Sequence, residues 1–307
     1  MTRAARASVS TGAGSAGDAA ASTAGAAGPG RPAGTPRRPG WWLWLSELVG
    51  TGVLVGVGLS VVIVDTSPSG PLAPLVSHGG RLALTGFLFG CVGALVAVSP
   101  VGMVSGAHLN PIVTLAFVLR GRMRPWLAAG YVLAQLAGAV TGAAPLLLWG
   151  RMGREVDFGA TLPGPGVGAG LALLGEVGTS AALITLLLVF VGTRPLRRWT
   201  PLLFPPLYAL MVFLEASVSG TSTNPARSLG PAVMSGAWSA WWVYWVGPVA
   251  GCLAGVGLTR LHALRGLEVD IAKVYHFEHD RHGLLHRRAD PRRGARPGPG
   301  GGSREPS

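Results

Sequence analysis

Six apolar stretches divide the chain, over residues 41–64, 82–98, 126–149, 167–191, 202–218 and 238–258. Each is close to the roughly 20 residues a helix needs to cross a bilayer core. Their ends carry Trp41, Trp42, Trp44, Trp126, Trp149, Trp199, Trp238, Trp241 and Trp242, the pattern of an interfacial belt. Two shorter apolar stretches follow Pro111 and Pro225. At about eight to ten residues they are too short to cross. The pattern predicts an all-α membrane protein with six transmembrane helices and two re-entrant half-helices.

Composition narrows the class further. Only 12% of the 307 residues are charged, and 48 are glycine. Small residues let membrane helices approach closely. This excludes an ordinary soluble enzyme, a disordered chain and a disulfide scaffold. Cys91 and Cys252 lie in apolar runs and read as buried thiols. The net charge of +12 would suit nucleic acid, but its distribution does not. Of 25 basic residues, 21 fall in the two tails and on one side of the spans. The other side holds only Arg81, Arg151, Arg154 and Arg227. The positive-inside rule then puts both termini in the cytoplasm, with no nucleic-acid partner expected. Residues 1–40 read as a disordered cytoplasmic tail, since no apolar signal core lies within them. Residues 41–263 form the membrane domain, and 264–307 a cytoplasmic C-terminal tail.

The membrane domain repeats itself. Ser-Gly-x-x-x-Asn-Pro begins at Ser105 and again at Ser219. Upstream, Glu47-Leu-Val-Gly-Thr51 is matched by Glu176-Val-Gly-Thr179. The halves, about 41–150 and 167–263, each hold three spans, so they are inverted relative to one another.

Asn-Pro at the start of a half-helix has a derivable chemistry. Asparagine suits the N-cap and proline the first turn. The amide oxygen accepts from the free backbone N–H groups, leaving the NH2 as a donor. Inversion brings Asn110 and Asn224 together near the midplane, with both positive helix ends converging. Such a point donates to a neutral oxygen and repels cations.

With SGAHLNP at 105–111 and NPARS at 224–228, the chain resembles the major intrinsic proteins, the aquaporins and aquaglyceroporins, over residues 41–263. The resemblance implies one pore per protomer, a homotetramer, and a lipid bilayer as surroundings. It departs at Ile112, where the family usually has alanine, which bears on packing between the half-helices. By resemblance, Arg227 is the arginine of the constriction. Glu47, Glu176 and His108 support the re-entrant loops. Glu215 supports the second loop, lines the outer vestibule or carries a proton. The other constriction positions are Val212, Thr221, and Phe89 in preference to Gly90. Ser228, Ala232 and Tyr244-Trp245 fall on the water-channel side of the family. Val212 stands where strict water channels place histidine.

The expected function is passive conduction of water, with glycerol or other small neutral solutes, excluding protons and ions, in the plasma membrane. A glycerol facilitator is the alternative within the family, and an ion-coupled secondary transporter the alternative outside it. No enzyme motif, cofactor or metal site is expected. The histidines His276, His279, His282 and His286 would share one face of a solvated helix.

Overall fold

The computed structural model describes residues 40–261, 266–281 and 283–285. In these residues ten α-helices follow in order: α1 (Trp41–Thr66), α2 (His78–Val98), α3 (Pro100–Ser105), α4 (Pro111–Leu119), α5 (Pro125–Ala143), α6 (Gly150–Glu155), α7 (Ala169–Gly192), α8 (Thr200–Ser219), α9 (Pro225–Ser235) and α10 (Val243–Leu258). Helices α1, α2, α7 and α8 are long and apolar enough to cross a membrane, as is α5 with its continuation to Glu155. The sixth expected span differs in form. Helix α10 has 16 residues, about 24 Å at the usual rise. It is preceded by turns in which Trp238 meets Trp241 edge to face.

Three close helix pairs build the bundle: α1 on α5, α7 on α10, and α2 on α8. Glycine permits all three approaches, and on α2 a Cβ at Gly86 would overlap the Tyr208 carbonyl of α8. A Cβ on Gly142 would overlap the Gly52 carbonyl, and one on Gly251 would meet the Val177 carbonyl oxygen at 2.5 Å. In lipid, where apolar side chains gain little by leaving their surroundings, such backbone proximity supplies packing energy.

Helices α4 and α9 are the half-helices. Each begins on an extended asparagine, Asn110 or Asn224, with proline next. Ile112 is fully buried, and its carbonyl accepts from the Cys252 thiol at 3.3 Å. The bulk that departs from the family pattern is thus absorbed in the core that α4 shares with α10. Cys252 is buried, whereas Cys91 is partly exposed, and both are free thiols.

Residues 266–281 and 283–285 are not helical. They pack on the face where α1 begins. Val269, Ile271, Ala272, Val274 and Leu285 are buried. Val274 N–H donates to the Gly106 carbonyl at 2.9 Å, and Lys273 Nζ to the Met103 carbonyl at 2.7 Å. His276 and His279 sit in this irregular stretch, with His276 Nε2 2.9 Å from the Val98 carbonyl. His282 and His286 lie outside the described residues, as do residues 1–39.

Candidate functional site: a two-loop pore

The two re-entrant loops share one architecture. Gly106, Ala107 and Leu109 have positive φ, and so do Gly220, Thr221 and Thr223 at the matching positions. This backbone aims successive N–H groups to one side, where a carboxylate meets them. Glu47 accepts from the N–H groups of His108 at 3.0 Å and Leu109 at 2.8 Å. Glu176 accepts from those of Ser222 at 2.6 Å and Thr223 at 2.8 Å. Both carboxylates are fully buried. Such charge-assisted bonds offset the cost of burying the charge.

Tyrosines repeat the symmetry. Tyr131 OH donates to the Ser105 carbonyl and Tyr244 OH to the Ser219 carbonyl, each at 2.8 Å. Tyr131 was not singled out in the sequence, and the pairing could have been found only by aligning the halves. Gln135, also missed, donates to Glu47 and to Thr114. His108 stands between Thr114, 3.1 Å from Nδ1, and the Ala272 carbonyl, 3.1 Å from Nε2. A carbonyl only accepts, so in the neutral ring Nε2 carries the proton and Nδ1 is an acceptor beside the Thr114 hydroxyl, which also reaches the Asn110 carbonyl at 3.3 Å. His108 therefore braces the first loop against the C-terminal segment.

The loops meet at their tips. Asn110 Oδ1 accepts from Ile112 N–H at 3.0 Å, and Asn224 Oδ1 from Ala226 N–H at 3.0 Å. Each capped half-helix directs its positive end to this point. Both asparagines line a mostly apolar cavity with Leu54, Val113, Leu183 and Tyr208. Val274 of the C-terminal segment also lines it.

A second cavity lies beyond, on the opposite face. It is lined by Phe89, Tyr208, Val212, Thr221, Arg227 and Gly159, among others. Phe89 faces this cavity, while Gly90 packs on α8, where a Cβ would lie 2.6 Å from the Phe204 carbonyl oxygen. Arg227 is 7% exposed, so its guanidinium reaches little beyond the cavity. It donates to the Gly159 carbonyl at 3.0 Å and lies 5.9 Å from the Phe89 ring centre. None of the ion pairs among the described residues involves it. Thr161, in the same connection as Gly159, pairs with Ser228 at 2.7 Å. That connection and Tyr208 were absent from the sequence reading. Tyr208 is one helical turn before Val212, so the i, i+4 rule could have found it.

Glu215 does not line either cavity. It lies behind Thr221, whose hydroxyl donates to Glu215 Oε2 at 2.6 Å. Among the described residues, no group of three His, Cys, Asp or Glu side chains could hold a metal.

Comparison with known proteins agrees with this geometry. The model of the major intrinsic protein family matches residues 38–258. Aquaporin NIP1-1 of Zea mays is 37% identical over 215 residues, 69% of this chain and 71% of the relative. Aquaporin NIP1-4 of Oryza sativa subsp. japonica is 35% identical, covering 74% and 78%. The probable aquaporin PIP2-8 of the same plant is 36% identical, covering 72% and 81%. Among solved structures, the aquaglyceroporin from Plasmodium falciparum shares the fold, with a TM-score of 0.61 and 20% identity over 74% of this chain and 98% of that one. The chain belongs to the major intrinsic protein family.

Proposed function

We propose that the chain is a passive channel for water and small neutral solutes that excludes ions. The observation that carries this is the meeting of two capped half-helix ends at Asn110 and Asn224, inside a mostly apolar cavity. A permeating water crosses apolar walls and finds donors at the midplane. A cation meets two positive helix ends and then Arg227. The outer constriction is assigned to Phe89, Val212, Thr221 and Arg227. Val212 leaves an apolar wall where a histidine would project, so glycerol-sized solutes are admitted alongside water.

Both termini lie in the cytoplasm in this reading, and the protein sits in the plasma membrane as a homotetramer. The excess of arginine on the terminal side supports the orientation. A coupled transporter would need an ion-binding carboxylate. Glu47 and Glu176 are committed to loop amides, and Glu215 takes the Thr221 hydroxyl and lines neither cavity. The deciding experiment is stopped-flow swelling of proteoliposomes in water, glycerol and urea gradients. Non-saturating flux that ignores a protonophore is expected. Saturating flux that collapses with the proton gradient would sink the channel reading.

A further inference from the structure

The second re-entrant loop contains a polar contact for which the first has no counterpart. Thr221 occupies the position of Ala107, and Glu215 that of Val101, nine residues before the loop asparagine. The contact therefore belongs to the constriction side alone and is not part of the repeat's common scaffold.

The hydroxyl bond and the surroundings of the carboxyl single it out, whereas the positive φ and the bond from the N–H to a serine Oγ recur in the first loop at Ala107 and Ser105. Thr221 has φ +49°, in the left-handed region that a β-branched residue rarely adopts. Its N–H is held by Ser219 Oγ at 3.3 Å and its hydroxyl by Glu215 Oε2 at 2.6 Å. Glu215 is 8% exposed, and its other oxygen, Oε1, has no hydrogen-bond partner among the described residues. The carboxyl sits over Gly175, and a Cβ there would overlap Oε1. A carboxylate tucked against glycine with one oxygen unsatisfied is costly to bury. Its bond from the Thr221 hydroxyl ties it to a residue that lines the outer cavity.

We propose that Glu215 is a positioning residue that fixes the Thr221 hydroxyl and thereby sets the donor–acceptor polarity of the constriction, favouring small hydroxylated solutes. The inference rests on the channel reading above. A hydroxyl has one hydrogen, and Thr221 commits it to Glu215. The oxygen keeps lone pairs for the lumen. Arg227, on the same cavity, can only donate. The ring thus offers one acceptor and one donor between the apolar walls of Phe89 and Val212. A solute hydroxyl donates to Thr221 and accepts from Arg227. Without the carboxylate, the Thr221 hydroxyl turns freely and its acceptor is no longer fixed toward the lumen.

The test is the ratio of glycerol to water permeability in proteoliposomes. Glu215→Met should lower it by about threefold to tenfold, the worth of one hydrogen bond. Glu215→Gln, whose carbonyl can still accept from Thr221, should stay within about twofold of wild type. Thr221→Val should lower the ratio as Glu215→Met does, and the double variant should match Thr221→Val alone. Should Glu215→Met fail to reach the membrane, Gly175→Ala displaces the carboxyl from the facing helix and should give the same fall. A Glu215→Met ratio equal to wild type, or a double variant well below Thr221→Val, overturns the role of Glu215 and leaves the channel reading intact. A wild type that conducts no water overturns both.

Discussion

Asn110 and Asn224 lock each other's loops reciprocally. Asn110 Nδ2 donates to the carbonyl of Thr223, the residue before Asn224, at 2.9 Å. Asn224 Nδ2 donates to the carbonyl of Leu109, the residue before Asn110, also at 2.9 Å. Each amide has two hydrogens. One ties the tips together, and in the channel reading the other is left for the lumen.

An aspartate at either position keeps the cap but loses both hydrogens. Asn224→Asp would set a carboxylate against the Leu109 carbonyl and place an anion where the helix ends repel cations. Water permeability should fall by about tenfold or more, as a bond to a charged group is exchanged for repulsion. A proton or cation leak should appear in a pH-sensitive dye assay. A variant as ion-tight and conductive as wild type would remove the asparagines from the barrier.

The tyrosine braces give a symmetric expectation. Tyr131→Phe and Tyr244→Phe each leave one loop carbonyl, of Ser105 or Ser219, without its donor. Each should cost about 1–2 kcal/mol, and the losses should add because they lie in separate loops. Thermal unfolding in detergent measures this. Strongly unequal losses would show that the two loops are not braced alike.

The half-helices were legible because capping is local: Asn, Pro and the apolar turn that follows sit within a few residues. The spans were legible from length alone. The tyrosine braces were not, because they act across 26 residues in one half and 25 in the other. Phe89 and Gly90 stayed ambiguous for a related reason. Ser99 ends α2 and caps α3, so the chain breaks between Phe89 and the loop, and counting back from Asn110 loses its register. Gly159 and Thr161 lie in a connection with no hydrophobic period to read. The stretch around His276 reads in the sequence as a solvated helix but is irregular, because its bonds go to distant backbone carbonyls such as that of Val98.

Arg227 carries the outer charge, held by one carbonyl and paired with no carboxylate among the described residues. Arg227→Val should keep or raise water permeability, since it removes bulk and desolvated charge from the outer cavity. It should admit a proton or cation leak. A leak-free variant would show that the half-helix ends suffice.

Lys273 gives the C-terminal segment a pH dependence. Burial lowers its amine from the usual 10.5 to about 8, with Asp280 acting in the opposite sense. Below about 8 both the docked and the released segment hold the proton, and the full burial penalty stands. Between 8 and 10.5 the docked amine is neutral while the released one is still charged, so docking strengthens as pH rises. Exchange of the Val274 amide, corrected for its intrinsic base catalysis, should slow over this range. Lys273→Met should abolish the change. A wild type whose corrected exchange ignores pH would exclude Lys273 as the titrating group.

Val212 decides the bore in the channel reading. It shares the outer cavity with Phe89, Thr221 and Arg227, and contributes only methyl groups. Val212→His adds a ring to that wall and a polar group facing the guanidinium. A polyol carbon chain then loses an apolar surface worth about 0.8 kcal/mol per buried CH2, and also meets a narrower opening. Glycerol and urea permeability should drop by about tenfold or more, since narrowing adds to a lost apolar contact. Water permeability should fall by far less, because a water molecule needs neither the apolar wall nor the width. Parallel stopped-flow measurements on one preparation separate the two. If wild type already excludes glycerol, or if Val212→His cuts water and glycerol equally, the bore is set elsewhere along the pore.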